Sequence, residues 1–433
     1  KRYAFDEDGK MLYGWVNKSG ERQSEDEGWA DESTVYYLGD WNDGSMKTGW
    51  QKITVYDEEK EDDMDYWFNF KSNGEKRKQT KSWKSNGKTY AFDDRGVMVY
   101  QWVAIDNTID EKATEANLAS TSTWRYFNSP EDGARVTKGW FKVVAPANDN
   151  DNTFIDYKDE INFAREDADS ETESSYYANS DGDLYKGKIE SIKGKYYGFW
   201  PEGSGKDAAM LNGLCVLEMK PDTNEIEQVI ADDIDSNDLD SILDGDYDFK
   251  DANEDNVYLY YFGNDLDGDG SMKTGNVTVN LDGNSYNFLF KKTGNPAGGR
   301  GQGVTGIEDK KYIYNYGCKI KASSDDKYQL VKVTEENKQG NDINAKGVTV
   351  KKEETPSWSN DTSYKNSEKE TVRYSTFDND EKNGVFYYLV NTSGNIQKKK
   401  LSGLKDGNEC YYYVDSDMHV ILYTDNKTLK SKD

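Results

Sequence analysis

The sequence is poor in the residues that form nucleophilic or metal-dependent active sites. Its 433 residues include three cysteines and a single histidine, His419, near the end. Ser-His, Cys-His and histidine-rich metal sites need partners that a lone imidazole does not have. Cys215, Cys318 and Cys410 lie far apart without metal-like or redox-like spacing, and their odd number excludes complete pairing, so we expect buried free thiols. No catalytic residue, metal or cofactor is predicted.

Positive charge and long apolar runs are also scarce. The 55 lysines and arginines face 82 acidic residues, giving a formal net charge of −27. Nucleic acid and anionic membranes attract clustered basic residues, so neither is expected as a partner. No apolar run approaches the roughly 20 residues that span a bilayer. The chain starts at Lys1, without Met or a signal-like segment, which predicts a processed or truncated form.

Aromatic residues take the place of aliphatic ones. Only 34% of the residues are hydrophobic, yet 32 are tyrosine and 11 are tryptophan. That hydrophobic content is too low for one large conventional core. Tyrosine and tryptophan offer large apolar ring faces while their polar tips reach water. The composition therefore favours a thin aromatic spine.

One pattern, found in residues 35–50, recurs along the chain. It begins with Tyr36 and Tyr37, passes through a turn that ends in Asp43-Gly44, and returns to Gly49-Trp50. Strand-forming residues on both sides of an Asn/Asp/Gly cluster predict a β-hairpin, because Asp-Gly tolerates the positive φ of tight turns. A single hairpin is marginal in water, so this one is expected to pack against neighbours.

Copies of the pattern run from end to end. Residues 3–15 and 90–102 repeat its order and share one spacing with each other, with Gln101 where Gly is expected, and residues 260–275 repeat it before Asn276 replaces the Trp. Short repeats of this kind bury their apolar faces only against adjacent repeats. The predicted fold class is all-β: an elongated array of β-hairpin repeats with acidic loop insertions. Looser copies occupy residues 124–140, 176–187 and 196–214.

Acidic or polar stretches interrupt the array at residues 106–122, 147–175, 222–256 and 323–381. Charge-rich stretches are usually solvated, and we interpret these as loops that decorate the array. The predicted division is 1–145 Gly-Trp hairpin repeats, 146–175 acidic insertion, 176–217 repeats, 218–257 acidic insertion, 258–322 repeats, 323–384 polar insertion and 385–433 C-terminal repeats.

These repeats resemble the cell-wall-binding repeats of Gram-positive surface proteins, which include choline-binding modules, glucan-binding repeats and clostridial toxin-type repeats. The strongest match is residues 36–50, followed by 260–275 and 3–15, whereas 304–314 are closer to the toxin type. The resemblance implies a β-solenoid of stacked hairpins, exported and held at the cell surface, with ligands bound in grooves between consecutive hairpins.

In the choline-binding branch, the resemblance implies a cage made of the Trp after Gly, aromatic residues of the next hairpin and a Met. Ring faces attract a cation by about 0.5–2 kcal/mol each, and sugars lay their C–H faces on similar rings. The implied ligand-binding residues are Trp15, Tyr36, Tyr37 and Met46; Trp50, Tyr66 and Trp67; Trp102, Trp124 and Tyr126, with Phe127 beside them; and Trp140 and Tyr177, with Tyr176 beside them.

The same residues have a structural interpretation, since every repeat needs rings to stack on its neighbour and Met fills gaps. The second half departs from the pattern because the Trp position becomes Leu214, Asn276, Ile307 and Leu404. We therefore expect binding before residue 180. Residues 265–270 resemble the opening of a calcium loop, but Asn276 stands where the loop needs Glu, which favours an acidic hairpin tip.

The predicted function is non-catalytic: a secreted module that attaches to cell-wall choline or carbohydrate through aromatic grooves, several weak sites acting together. Two alternatives stay open. A polysaccharide-acting enzyme could carry a carboxylate pair in the acidic insertions, because such a pair is defined by its separation in space. A structural spacer would use the aromatic rings only as spine.

Overall fold

The computed structural model describes residues 1–58, 60–104, 124–144, 173–204, 206–263, 269–335, 347–359, 366, 368 and 370–427. The acidic stretch 106–122 and most of 146–175 lie outside these residues. The chain forms two compact units, Lys1–Gly187 with Phe199–Met210, and Lys188–Gly198 with Leu211–Asp433. Within the described part, no helix has the length and apolarity needed to cross a membrane.

The first unit consists of antiparallel hairpins. Four separate two-stranded hairpins, β4–β5, β6–β7, β8–β9 and β10–β11, follow a small sheet in which β1 pairs with both β2 and β3. The strands are β1 (Trp15–Asn17), β2 (Arg22–Gln23), β3 (Thr34–Tyr37), β4 (Gly49–Asp57), β5 (Asp62–Phe70), β6 (Thr80–Ser85), β7 (Lys88–Phe92), β8 (Gln101–Ala104), β9 (Trp124–Phe127), β10 (Gly139–Val144) and β11 (Glu173–Ala178).

A bridge residue after several of the hairpins joins the hairpin to the one before it. Met98 bridges back to Phe92 at the end of its own hairpin, and its N–H donates to the Trp67 carbonyl of the preceding one at 2.8 Å. Met210 repeats the arrangement with Phe199 and with the Ser175 carbonyl, also at 2.8 Å. Consecutive hairpins therefore share backbone hydrogen bonds. The predicted fold class, an all-β array of hairpin repeats, is confirmed, while its elongated solenoid form stays a prediction.

The residue before Trp15, Trp50 and Trp102 has a left-handed backbone. Gly14 and Gly49 have φ of 71° and 72°, and Gln101 adopts 57° at the same place in its repeat. Glycine enters this region without the steric cost of a Cβ, whereas glutamine does not. In these three repeats the residue before the Trp is thus the chain reversal that opens the hairpin, and Gln101 keeps the geometry with strain.

The second unit has larger sheets. A five-stranded sheet in the order β17-β18-β21-β20-β19 lies among three- and four-stranded sheets and the β12–β13 hairpin. Its elements are β12 (Lys188–Ile192), β13 (Lys195–Phe199, whose last residue belongs to the first unit), β14 (Leu214–Met219), β15 (Ile226–Ala231), α1 (Ser236–Asp244), β16 (Val257–Tyr261), β17 (Gly275–Leu281), β18 (Asn284–Phe290), β19 (Gly306–Glu308), β20 (Tyr312–Asn315), β21 (Cys318–Lys319), β22 (Tyr328–Glu335), β23 (Val348–Glu353), β24 (Tyr374–Thr376), β25 (Val385–Asn391), β26 (Leu404–Lys405), β27 (Tyr411–Val414), β28 (Val420–Thr424) and the 3₁₀ turns Glu254–Asn256 and Pro296–Gly298.

The interpretation of residues 222–256 as a decorating loop is corrected. Strand β15 pairs with β14, and α1 buries Leu239, Ile242 and Leu243 in the main core of this unit. Asp235 caps α1 by accepting hydrogen bonds from the N–H groups of Asn237 and Asp238. The abundant Asp and Asn residues therefore serve caps and turns, and the aliphatic residues between them belong to the core.

Residues 323–381 also contain strands, because β22 pairs with β23 and β25 and contributes buried side chains to the core. The three cysteines, Cys215, Cys318 and Cys410, are buried free thiols, as predicted. Burial raises the pKa of the Cys318 thiol to about 12. A thiol in that environment stays protonated and behaves as a small apolar side chain.

Candidate aromatic cages

Four aromatic rings, those of Trp140, Tyr177, Tyr185 and Phe199, form a partly exposed group that we call the Trp140 cage. The Trp140 and Tyr177 centroids lie 5.2 Å apart, and Tyr185 stacks on Tyr177 at 5.0 Å. Phe199 lies 5.9 Å from Trp140 and 5.8 Å from Tyr185. Phe199 is fully buried, whereas Trp140 is 37% exposed and both tyrosines are half-buried. The cage has an apolar floor and ring walls that reach solvent.

Hairpin register assembles this cage from three chain segments. Trp140 on β10 pairs with Tyr177 on β11, which places their side chains on one face. The Tyr185 N–H donates to the Tyr177 carbonyl at 3.0 Å, bringing the segment after the turn beside the same face. Phe199, the last residue of β13 in the next hairpin, forms a β-bridge with Met210 and supplies the fourth ring.

A second group of rings, the Trp15 box, contains a lysine. Trp15 lies 4.9 Å from Tyr37, 5.1 Å from Phe68 and 6.1 Å from Phe70. The Lys76 Nζ lies 5.1 Å from the Trp15 centroid and 5.9 Å from that of Phe68. This box therefore holds a cationic group from the chain itself.

The Trp50 box, formed by Trp50, Trp83, Tyr90 and Phe92, contains an arginine. Trp50 lies 5.5 Å from Trp83, 4.9 Å from Tyr90 and 5.6 Å from Phe92. The Arg77 guanidinium lies 4.3 Å from the Trp83 centroid, a distance typical of cation–π contact. Three of the rings are half-buried and Phe92 is fully buried.

The third predicted group forms a closed cluster. Trp102 lies 5.2 Å from Tyr126, 6.3 Å from Trp124 and 5.0 Å from Tyr176. Trp102 is only 1% exposed, and Trp124 and Tyr176 are also buried. Phe141 stacks on Tyr126 at 5.0 Å. These rings fill the space that a ligand would need, so the cluster fits the spine interpretation.

Several predicted groupings need correction. Tyr36 and Met46 pack with Leu12, Val16 and Leu38, apart from Trp15, because successive strand residues such as Tyr36 and Tyr37 point to opposite faces. Tyr66 is buried against Trp29 at 6.0 Å and donates its hydroxyl to Asp57, so it does not line a groove with Trp50.

Other predicted neighbours do meet. Trp50 contacts Trp67 edge-to-face at 6.3 Å, and Trp15 meets Tyr37. Phe127 is fully buried and belongs to the hydrophobic core of the first unit. The pairing of Trp140 with Tyr177 places both residues in the cage, and their role in binding stays a prediction.

The sequence patterns missed the rings that complete each group and both internal cations. Tyr185 follows the Asp181-Gly182 turn, and Phe199 ends β13. Alignment of that turn with its copies elsewhere in the chain identifies both positions. Lys76 and Arg77 stand in a charged run that looks solvated, and only contact with rings remote in sequence distinguishes them.

The acidic side chains considered for a metal and the single histidine have the following surroundings in the described residues. No group of three or more His, Cys, Asp or Glu side chains is arranged to hold a metal in the described part of the chain. Residues 264–268, most of the calcium-loop-like run, lie outside it. Burial opposes ionisation of Asp269, but hydrogen bonds from Lys195, Ser271 and Lys273 hold its pKa well below its usual range. His419 stacks on Phe386 at 4.2 Å.

No protein-family model and no curated protein sequence matches this chain. Among solved structures, the chain is similar to CbpF in complex with ipratropium, with 15% identity, coverage of 97% and 98% of the two chains and a TM-score of 0.42. It is also similar to choline binding protein F from Streptococcus pneumoniae in crystal form II, with 15% identity, coverage of 97% of this chain and 98% of that chain, and a TM-score of 0.39. CbpJ from Streptococcus pneumoniae TIGR4 shows 15% identity, coverage of 86% of this chain and 100% of that chain, and a TM-score of 0.25.

The solved structures to which the chain is similar thus include proteins named for choline binding, the group that the repeats resemble. The identities and TM-scores are low, and this similarity carries no function over to the chain.

Proposed function

We propose that this protein is a non-catalytic attachment module that binds a quaternary ammonium group, choline on a cell-wall polymer, in the Trp140 cage. The observation that supports this is the cage itself: Trp140, Tyr177 and Tyr185 form half-exposed walls above the buried Phe199. A methylated ammonium matches such a site, since it presents a diffuse positive charge on an apolar surface.

The magnitudes fit a weak site. Each well-placed ring contributes about 0.5–2 kcal/mol to holding a cation, so three walls together give about 1.5–6 kcal/mol, a dissociation constant between roughly 0.1 M and tens of micromolar. The net charge of −27 adds a long-range attraction for cations that weakens as salt increases. Attachment to a polymer that displays many choline groups gains from repeated rebinding. This function places the protein outside the cell, at the wall.

Titration with choline and with its neutral isostere 3,3-dimethylbutan-1-ol tests the proposal, with calorimetry and Trp fluorescence as readouts. The two compounds have nearly the same shape and differ in charge. We expect saturable binding of choline and binding of the isostere that is roughly tenfold weaker, because it lacks the cation–π attraction.

The matched variants are Trp140→Leu and Trp41→Leu. Trp41 lies at a hairpin tip and is 68% exposed, so its replacement controls for loss of a surface tryptophan. Trp140→Leu should weaken choline binding roughly tenfold, the loss of about 1.4 kcal/mol, while Trp41→Leu leaves it unchanged. Equal binding of choline and its isostere would contradict the proposal, as would saturation by wall oligosaccharides alone. Release of reducing sugar would favour the enzyme alternative.

A further inference from the structure

Lys76 stands at the bridge position of its repeat. The residues that bridge back to the hairpin end include Met11 with Phe5, Met98 with Phe92 and Met210 with Phe199. Lys76 makes the same bridge with Phe70. Its N–H donates to the carbonyl of Val35 in the preceding repeat at 2.7 Å, just as the Met98 N–H donates to that of Trp67. Both backbone criteria assign Lys76 to a position that methionine occupies elsewhere.

The side-chain packing gives the same register. A methionine at this position packs on a glycine of the following turn: a Cβ built on Gly74 would lie 2.2 Å from the Met46 Sδ. The Lys76 Cγ and Cδ pack on Gly96 in the same way, with both atoms 2.7 Å from such a Cβ. The first part of the lysine stem therefore takes the place of the methionine chain. Only the Cε and Nζ extend further.

The extra length carries the amino group into the Trp15 box. The Nζ lies near the Trp15 and Phe68 rings and donates a hydrogen bond to the Trp29 carbonyl at 2.7 Å. Lys76 is 3% exposed, so this amino group has been taken out of water almost completely. An isolated buried ammonium is costly, and the two ring faces and the carbonyl are the groups that compensate here.

Arg77, the residue after Lys76, places its guanidinium in the Trp50 box. Its N–H donates to the Asn69 carbonyl at 2.8 Å, the same bond that Tyr185 makes to Tyr177 in the Trp140 cage. Its Nε also donates to the Asn69 Oδ1 at 2.7 Å, which orients the guanidinium over Trp83. Arg77 thus stands where the Trp140 cage has the wall residue Tyr185.

We infer that Lys76 and Arg77 are internal ligands: two adjacent residues supply the cations of two successive aromatic boxes and thereby close those boxes to an external ammonium ion. The Trp140 cage has Met210 and Tyr185 at the corresponding positions, so it keeps ring walls for a ligand. The part of this inference that concerns ligand exclusion rests on the proposed function, whereas the part that concerns internal occupancy does not.

Charged groups around Lys76 set the conditions of the test. Burial is the largest influence and lowers the pKa of Lys76 to about 7; Lys78 and Arg95 act in the same direction, while Asp93 and Asp31 oppose them. The comparison belongs at about pH 6, where the lysine carries its charge.

The test removes each internal cation and keeps its packing stem. Lys76→Met restores the residue found at other bridge positions, and Arg77→Met removes the cation from the second box. Both are made in the Trp140→Leu background, so that the remaining response comes from the opened box. The probe is tetramethylammonium, followed by Trp fluorescence and by the shift in melting temperature. Lys78→Met is the matched control, since Lys78 contacts the Glu32 carbonyl at the surface.

We expect each methionine variant to bind tetramethylammonium at least roughly tenfold more tightly than the Trp140→Leu parent, and the ligand to raise its melting temperature. The Lys78→Met control should match the parent. Two folded variants that bind no better than the parent would overturn the inference. If Lys76→Met does not fold, Arg77→Met decides the question by the same criterion.

The outcomes also separate this inference from the proposed function. Binding that appears in the methionine variants, when the native chain fails to bind choline, supports internal occupancy and refutes the Trp140 cage as a site. Native binding without any gain in the variants refutes internal occupancy alone.

Discussion

The Trp15 box and the Trp140 cage are two versions of one repeat unit that differ in the residue at the bridge position. In the Trp15 box, Lys76 at the bridge position places its amino group beside the rings and donates a hydrogen bond to the Trp29 carbonyl. In the Trp140 cage, the bridge residue is Met210, and Tyr185 adds a wall. We propose that similar rings serve stability in one repeat and recognition in the other, and that the residue completing each ring set decides between the two roles.

The Trp102 cluster adds a third condition, closure by aromatic packing. There the space beside the tryptophan is filled by Phe141 and Tyr176, which stack on each other at 5.4 Å. A ring count alone therefore does not identify a binding site. Exposure and the occupant of the central space distinguish the three cases.

The largest expected effect separates the closed cluster from the open cage. Trp102→Ala should cost about 3–5 kcal/mol of unfolding free energy, because it removes a fully buried ring and leaves a cavity. Urea denaturation followed by circular dichroism measures this. Trp140→Ala, which removes a ring that is 37% exposed, should cost clearly less. Equal costs for the two variants would remove the distinction between spine and cage.

The stability that Lys76 contributes in the Trp15 box should depend on pH. Because the pKa of Lys76 is lowered to about 7 in the folded chain, the unfolded chain binds one more proton between that pH and the unfolded-state value near 10.4. The Lys76 contribution to stability therefore rises with pH in this window, by up to about 1.4 kcal/mol per unit, and is constant below it.

Denaturation of the native chain and of Lys76→Met, each at several pH values between about 6 and 9, gives this contribution as a difference. Taking the difference cancels the other titrating groups that the two chains share. A difference that stays flat over this range would show that burial does not displace the titration of Lys76.

A smaller effect should follow when the Trp140 cage is given a cation of its own. Tyr185→Arg places a guanidinium where Arg77 stands in the Trp50 box, and it should weaken choline binding by roughly tenfold or more through occupancy and like-charge repulsion. Tyr185→Phe keeps the ring and is the matched control, with binding close to native. Calorimetry measures both, and undiminished binding by Tyr185→Arg would contradict the parallel between the two positions.

The smallest expected effect concerns the chain reversal that opens each hairpin. Gln101 has a φ of 57°, and replacing it with glycine, the residue that precedes Trp15 and Trp50, should relieve about 1 kcal/mol of strain. Thermal unfolding should show a small rise in melting temperature with no change in ligand binding. Gly49→Gln is the reciprocal variant and should lower stability by a similar amount.

Much of the fold follows from local patterns. The Asp-Gly turns, the alternating aromatic residues and the Gly-Trp reversals predict hairpins because each signal acts within a few residues. The mistaken interpretation of residues 222–256 shows the limit of that reasoning. A high density of Asp and Asn in a sequence is typical of a solvated loop. Here such residues cap a helix, and Leu239 and Ile242 of that helix are buried in the core.

The sequence by itself determined the repeat, the hairpins and the rings available to each groove, since turn geometry and strand alternation are local properties. Only the tertiary structure decided which rings face one another, which are buried and which enclose a cation. Trp15, Phe68 and Lys76 are far apart along the chain and meet through hairpin-to-hairpin hydrogen bonds. Contacts of that range depend on the register of several strands at once, and no single stretch of sequence encodes that register.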